Sequence, residues 1–199
     1  MTQSERTELS DSKMLDAAVR LVLEKGSVGT TLKVVGERAG YSRGLASARF
    51  GSKEGLFVRL IGIHREAWKQ EIATHVKGKS GIDAVLARID GVEELFRRDP
   101  DTIKAIYMVW FESVGRTSSM REALVKFHEE TRQQVSTFVA EGIESGDIPT
   151  NVDPDAFAID YFAQIFGFIY QWLVSPDQVD IFRCIDTLRA LTKFALTEK

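Results

Sequence analysis

Apolar residues recur every three or four positions along the whole chain, and this spacing constrains the fold more than any other feature. It is the spacing of a helix that buries one face. No segment shows the sustained two-residue alternation that is typical of a half-buried strand. Glycine, serine and proline positions divide the 199 residues into about nine segments. The sequence therefore predicts an all-α protein of about nine helices.

The N-terminal part of the chain contains two short predicted helices between two longer ones. The four helices cover 12–25, 31–39, 42–50 and 52–76. Two short helices that meet at a turn containing Gly40, and that are braced on both sides, form a helix-turn-helix unit. We therefore predict a DNA-binding domain over residues 1–58, with the fourth helix continuing to about 76. Arg6 falls in a predicted flexible arm.

Residues 77–199 form a second predicted domain, a helical domain for ligand binding and dimerisation. Its helix starts are marked by a capping residue directly before proline, at Asp99-Pro100, Asp153-Pro154 and Ser175-Pro176. The capping side chain accepts a free backbone N–H, and proline lacks the N–H that a first helical turn leaves unpaired. The predicted helices cover 81–98, 100–116, 119–145, 153–174 and 176–197.

Basic residues are concentrated near the helix-turn-helix unit, although the net charge of the chain is −3. The segment from Lys25 to Arg65 has eight basic residues against Glu37 and Glu54, a local charge of +6, and the rest of the chain carries −9. This division fits a DNA-facing end on an acidic body, while a solvated helix surface is the alternative.

The third predicted helix has small and cationic side chains at its outward positions, which suits entry into the major groove of DNA. Side chains at the start of the second and fourth helices can reach phosphate groups. The predicted DNA contacts are Thr31, Lys33, Ser42, Arg43, Gly44, Leu45, Ser47, Arg49 and Lys53.

Residues 12–58 resemble the DNA-binding head of TetR-type regulators. The resemblance covers about a quarter of the chain and rests on residues at fixed spacing. These are Thr30-Thr31, Ala39-Gly40, Ser42, Gly44, Phe50 and the run Ser52-Lys53-Glu54-Gly55-Leu56-Phe57. The remaining residues resemble the family in length and all-helical pattern alone.

The resemblance implies a transcriptional regulator that a small-molecule effector releases from DNA, with repression as the default of the family. It also implies phosphate contacts at Ser47 and Arg49, where the family usually has an aromatic residue and often a histidine. Ser47 is shorter than the usual residue, whereas Arg49 is longer and charged and can compensate.

The predicted helix after Pro154 is apolar over most of its circumference, so we expect it to be buried on two sides. One side belongs to its own core. A second subunit, packed also on the last helix, explains the other side, and a central helix of a monomer is the alternative. The predicted dimer contacts are Phe157, Tyr161, Ile165, Phe168, Trp172, Ile185 and Leu188. A homodimer would read half-sites about 34–36 Å apart on a near-palindromic operator of double-stranded DNA.

Large apolar side chains are also concentrated in the predicted helix after Pro100 and in the two helices that follow. Helices packed around aromatic residues commonly enclose an apolar cavity, and the resemblance implies that this cavity holds the effector. The predicted pocket residues are Tyr107, Trp110, Phe111, Phe127, Phe138, Phe162 and Phe166. Each of them can instead belong to the ordinary core.

Enzymatic activity finds little support in the sequence. The histidines His64, His75 and His128 lack the spacing of metal ligands, and Cys184 lies in an apolar helix with no local partner for nucleophilic chemistry. We expect no metal, no cofactor and no catalytic residue. The remaining alternative is a helical ligand-binding bundle that does not bind DNA.

Several features suggest a cytoplasmic protein with no membrane partner. The chain opens with a polar segment rather than a signal peptide, and a single cysteine suits a reducing compartment. The uncharged run from Tyr161 to Pro176 has 16 residues, fewer than the roughly 20 that a spanning helix needs.

Overall fold

The computed structural model describes residues 2–115 and 118–197, and all regular secondary structure in these ranges is α-helical. The helices are α1 (Gln3–Gly29), α2 (Leu32–Arg38), α3 (Arg43–Phe50), α4 (Lys53–Val76), α5 (Gly81–Arg98), α6 (Pro100–Ser113), α7 (Ser119–Ser145), α8 (Pro154–Val174) and α9 (Ile181–Thr197). The predicted all-α fold is confirmed. The helix predicted over 100–116 ends at Ser113, and Arg116 lies outside the described residues.

The N-terminal helix α1 begins at Gln3, so Arg6 is helical and the predicted flexible arm is wrong. Thr2 and Glu5 form a capping box. The Thr2 hydroxyl accepts a hydrogen bond from the Glu5 N–H at 3.2 Å, and the Glu5 carboxylate accepts one from the Thr2 N–H at 2.7 Å. This reciprocal capping satisfies two backbone donors and stabilises the early helix start.

One compact unit comprises the chain up to Glu66 together with 99–125. At its centre α1 packs against both α2 and α6, and Met14, Ala18 and Val22 of α1 are fully buried. The hydroxyl of Ser27 donates a hydrogen bond to the Glu112 carboxylate of α6. This unit contains the whole helix-turn-helix segment.

The second compact unit comprises Ala67–Arg98 and the chain from Lys126 onward. Here α9 packs against α5 and α8. Arg189 of α9 donates hydrogen bonds to Asp90 at 2.9 Å and to Glu93 at 2.7 Å, both on α5. The rings of Phe96 and Trp172 meet edge to face, with centroids 5.5 Å apart, and join α5 to α8.

The two units do not divide the chain where the functional domains were predicted to meet, because α6 packs within the first unit. The predicted division near residue 76 is a division by function. It separates residues predicted to bind DNA from residues predicted to bind the ligand and form the dimer. That division stays a prediction.

The last helix begins at Ile181, so the start predicted at Ser175-Pro176 is wrong. Residues 175–179 form a turn instead, in which the Ser175 carbonyl accepts hydrogen bonds from the N–H groups of Gln178 and Val179. The Asp180 carboxylate accepts from Phe182 N–H at 2.9 Å and caps α9. A second capping residue five positions downstream therefore determines where the helix starts.

Among the described residues, α8 alone is long and apolar enough to cross a membrane, although its uncharged run was predicted to be too short. Its residues Tyr161, Ile165 and Ile169 are buried within the second unit. Core helices of soluble proteins share this length and composition, so the finding is weak evidence for a membrane span.

Candidate DNA-binding surface and effector residues

The structure positions α3 as the exposed helix of a helix-turn-helix unit. Ser42 caps it by accepting a hydrogen bond from the Leu45 N–H at 3.1 Å, and its own O–H remains able to donate. Ala46 and Phe50 are buried and anchor one face of α3. Arg43 and Gly44 lie exposed on the other.

Two glycines make the approach of α2 to α3 possible. A Cβ at Gly36 would lie 2.9 Å from the Ser42 carbonyl oxygen, so only glycine lets the start of α3 come this close to α2. Gly40, in the turn, has a φ of 81°, a left-handed conformation that glycine adopts without steric cost. The predicted tight turn is therefore present, and both glycines serve to position α3.

Three of the predicted DNA-contacting cations point into solvent or are weakly held. Arg43 forms no ion pair within residues 2–115 and 118–197. Lys33 lies 3.9 Å from Glu37, an exposed pair of little strength. The Lys53 ammonium lies 5.8 Å from the centre of the Phe57 ring. The hydroxyl of Thr31, like that of Ser42, caps its helix.

The guanidinium of Arg49, another predicted DNA contact, is engaged by α1. It donates a hydrogen bond to the Thr7 hydroxyl at 2.8 Å and lies 3.4 Å from the Asp11 carboxylate. Contact with a phosphate group requires this pair to open. The role of Arg49 in DNA binding stays a prediction.

Arg38 is held in the same way by Glu24, whose two carboxylate oxygens both accept its hydrogen bonds. This hydrogen bonding holds the pKa of Glu24 below its usual range. The paired arrangement explains why Arg38, although basic and close to α3 in sequence, is a poor candidate for DNA contact.

The predicted pocket residues on α6 belong to the first unit. Tyr107 and Trp110 are buried, and their rings meet edge to face with centroids 4.8 Å apart. Phe111 is exposed to 38%. Packing of this kind is compatible with ordinary core as well as with a pocket wall.

The predicted pocket residues on α7 and α8 belong to the second unit. Phe127 and Phe162 are buried, whereas Phe138 and Phe166 are half-buried. The His128 ring lies 4.7 Å from the Phe166 ring and 6.2 Å from the Phe162 ring, between centroids. The three rings form one cluster, and its role as a ligand site stays a prediction.

Most of the predicted dimer contacts lie on the inward faces of α8 and α9. Five of the seven are buried in their own subunit and cannot reach a partner in this conformation: Tyr161, Ile165, Trp172, Ile185 and Leu188. Phe157 and Phe168 are half-buried. The large apolar side chains that these helices expose are Ile159, Tyr170, Val174, Leu191 and Phe194.

Sequence reasoning missed Arg88, an arginine that is fully buried on α5. It lies between Ala84 and Val92, four residues from each, so it falls on the stripe that carries the buried apolar residues of this helix. The sequence signal for its burial was that a charged residue occupies a position of the apolar stripe.

No group of three or more histidine, cysteine or acidic side chains within the described ranges is arranged to hold a metal ion. Burial raises the pKa of the Cys184 thiol, which makes it a poor nucleophile at neutral pH.

The capped, exposed α3 and its bracing helices define a helix-turn-helix protein. Two family profiles match the chain. One, described as "Bacterial regulatory proteins, tetR family", matches residues 14–60, and the other, described as "BetI-type transcriptional repressor, C-terminal", matches residues 84–196. The chain therefore belongs to the TetR family of bacterial transcriptional regulators, and it is a ligand-responsive DNA-binding repressor.

Known regulators are similar over most of the chain. The regulator BetI from Burkholderia thailandensis is 30% identical over 137 residues, 67% of this chain and 68% of BetI. TtgR from Pseudomonas putida is 23% identical over 182 residues, 89% of this chain and 86% of TtgR. The structure of SmeT, repressor of the Stenotrophomonas maltophilia efflux pump SmeDEF, matches with a TM-score of 0.75 at 21% identity, covering 95% of this chain and 91% of SmeT. The alternative of a bundle without DNA binding is not favoured.

Proposed function

We propose that the protein acts as a homodimer that binds a near-palindromic operator through α3 and leaves it when a small apolar or aromatic effector binds. The observation that carries this proposal is the exposed, capped N-terminus of α3 with its unpaired Arg43. The N-terminal residues of such a helix contact base edges in the major groove. The proposed contacts are Thr31, Lys33, Ser42, Arg43, Gly44, Leu45, Ser47, Arg49 and Lys53.

The proposed dimer interface is the exposed apolar face of α8 and α9. Tyr170 is exposed to 52%, Val174 to 61% and Phe194 to 60%. A monomer rarely leaves several large apolar side chains in solvent on adjoining helices, and α8 packs against α9 within the subunit. Two copies of this face would form a symmetric four-helix interface.

The proposed effector is held by the aromatic side chains of α7 and α8 in the second unit. SmeT forms a complex with triclosan, an aromatic molecule, which supports this class of ligand. Release from DNA requires that the effector bind the DNA-free geometry of the dimer more tightly than the DNA-bound one, because a ligand shifts an equilibrium only by its differential affinity. We further propose a cytoplasmic location and no enzymatic activity, as suits a bacterial regulator that acts on DNA.

Selection of bound duplexes from a random DNA pool tests the proposal. We expect two inverted half-sites with centres one helical turn, or a multiple of it, apart. The logarithm of the association constant should fall linearly with the logarithm of the salt concentration, because phosphate contacts release counterions. If the purified protein binds no duplex at low salt, or selects a site without symmetry, the proposed mode of binding is wrong.

Replacing Arg43 with alanine should weaken operator binding by about 1–3 kcal/mol and relax the preference at one base position, because an arginine at this place reads a base edge. Lys53→Ala should instead weaken binding to all sequences alike. Fluorescence anisotropy on operator and scrambled duplexes separates the two effects.

Arg38→Ala is the matched control, since Glu24 already holds this arginine in the same head. We expect its affinity for the operator to change less than threefold, within the small value of an exposed ion pair. An Arg38 effect as large as that of Arg43 would contradict the assignment of contacts.

A further inference from the structure

The side chain of Arg88 is fully buried within the second unit. The neighbours of its guanidinium group come from α7 and α8. Its Nη1 donates a hydrogen bond to the Tyr161 hydroxyl at 3.1 Å, and its Nε donates one to the Gln134 side-chain oxygen at 3.4 Å. Its guanidinium carbon lies 5.5 Å from the centre of the Tyr161 ring and 5.3 Å from that of Phe162. The guanidinium is therefore set in an aromatic surrounding.

None of these neighbours carries a negative charge. Burial raises the pKa of Tyr161, so its hydroxyl stays a neutral phenol. Asp90, two residues along α5, pairs with Arg189 at 2.9 Å instead. No carboxylate within the described parts of the chain pairs with Arg88, and its buried Nη2 has no hydrogen-bond partner there.

A buried arginine without an opposite charge lowers stability, because removal of the guanidinium from water is not repaid by a partner. A buried ionisable group of this kind is a candidate for a functional site. Its planar set of N–H donors matches a carboxylate, which can accept two parallel hydrogen bonds. Nη2, buried and without a partner, is the donor still available for this purpose.

We propose that Arg88 anchors the carboxylate of the effector, and that the effector is an organic monocarboxylate with an aryl or alkyl body lying against Phe162, Phe166 and His128. This inference rests on the proposed function, because it names the chemical class of the effector. The Phe162 ring connects the two parts of the site, since it lies near both Arg88 and His128.

The charge balance of the cluster favours a monoanion. Burial lowers the pKa of His128, and the nearby Arg132 lowers it further, so the imidazole is neutral at neutral pH. Arg88 and Arg132 are thus the cations beside the rings; of the two, Arg88 is the fully buried one, and one carboxylate would neutralise it. A protonated amine would meet an uncompensated like charge there, so cationic effectors are disfavoured.

The test compares matched ligands on the wild-type protein. The probes are benzoate, phenylacetate, cinnamate, octanoate and decanoate, each beside the primary amide and the primary amine of the same carbon skeleton. Isothermal titration calorimetry measures affinity, and fluorescence anisotropy on the selected operator measures release. We expect at least one carboxylate to bind tenfold or more tightly than its amide, and the amines not to bind.

The variant Arg88→Met keeps the apolar volume and removes the charge. We expect the carboxylate affinity to fall at least tenfold, the amide affinity to change less than threefold, and the thermal midpoint without ligand to stay the same or rise. Arg88→Lys should retain part of the preference. The control is Arg189→Met, which removes an arginine bound to Asp90 and Glu93 and should leave the preference unchanged.

Three results would overturn the proposal. The first is that no carboxylate binds the wild-type protein more tightly than its amide, and the second is that the preference for carboxylates persists in Arg88→Met. The third is that Arg88→Met unfolds while Arg88→Lys binds carboxylates and amides with equal affinity. If only neutral molecules release the operator, the proposed function stands and the role of Arg88 fails. If the wild-type protein binds no operator, the proposed function fails, and the calorimetric preference still decides on Arg88.

Discussion

Replacing Gly55 with alanine is expected to lower the free energy of unfolding by about 1–3 kcal/mol and to weaken operator binding roughly thirtyfold or more. Gly55 lies in the first turn of α4, where its N–H donates to the Ser52 hydroxyl at 2.9 Å. A Cβ at this position would lie 2.2 Å from the carbonyl oxygen of Phe50, the last residue of α3. Because that oxygen belongs to the backbone, relief requires α3 and α4 to move apart, and overpacking of this kind costs about 1–3 kcal/mol.

The effect on DNA binding follows from the same displacement. Movement of the end of α3 tilts the helix that carries Arg43, so several of the proposed base and phosphate contacts would be lost together. Loss of two contacts worth about 1–3 kcal/mol each weakens binding by about 2–6 kcal/mol, which is roughly thirtyfold or more. Urea unfolding measures the first effect, and anisotropy on the operator measures the second.

Gly62 provides the matched control in the same helix. A Cβ there meets nothing within 4 Å, so alanine adds no clash. We expect Gly62→Ala to raise the free energy of unfolding by about 0.5–1 kcal/mol, because alanine is the better helix former. If Gly55→Ala and Gly62→Ala unfold at the same urea concentration, the close approach of α3 and α4 is absent in solution.

Replacing Phe194 with glutamate is expected to convert the proposed dimer to a folded monomer and to weaken operator binding at least a hundredfold. Phe194 is exposed to 60% on α9, so a charge there costs little in the isolated subunit. In the proposed interface the charge of each subunit would be buried without a partner. A monomer engages one half-site and loses the gain from linking two, which is commonly 10²–10⁴.

Analytical ultracentrifugation and circular dichroism check this prediction together. Val125→Glu is the control, because Val125 is also exposed, at 47%, but lies on α7 and in the other compact unit. Trp172→Glu should instead reduce helicity, because Trp172 is buried against Phe96. A Phe194→Glu protein that sediments as a dimer would exclude α9 from the interface.

The helix-turn-helix unit was predictable because its signals are local. Ser42 caps the helix that its position marks, and Gly40 has the positive φ that the turn requires. The status of Arg49 was not predictable, since its partners Thr7 and Asp11 lie on another helix. Sequence spacing indicates which side chains share one face of a helix, but not which residues of another helix contact that face.

Which side chains α8 exposes was not predictable for a related reason. When a helix such as α8 is apolar nearly all round, periodicity cannot tell which stripe faces its own core. Tyr161 and Trp172 turned inward, and Tyr170 turned outward. Composition did not reveal the buried charge of Arg88 either, because arginine is usually exposed; its place on the apolar stripe of α5 was the signal. Its significance depends on the neutral neighbours that the fold brings to it.

In the pairing of Arg49 with Asp11, a carboxylate of the protein takes the place that a DNA phosphate group could take beside Arg49. The Asp11 carboxylate on α1 engages a guanidinium that the phosphate backbone would otherwise attract, so we expect operator affinity to depend in part on position 11. Substitution at position 11 is therefore expected to change the affinity of the repressor for its operator. The sequence of α3, and with it the preference for a target sequence, would stay the same.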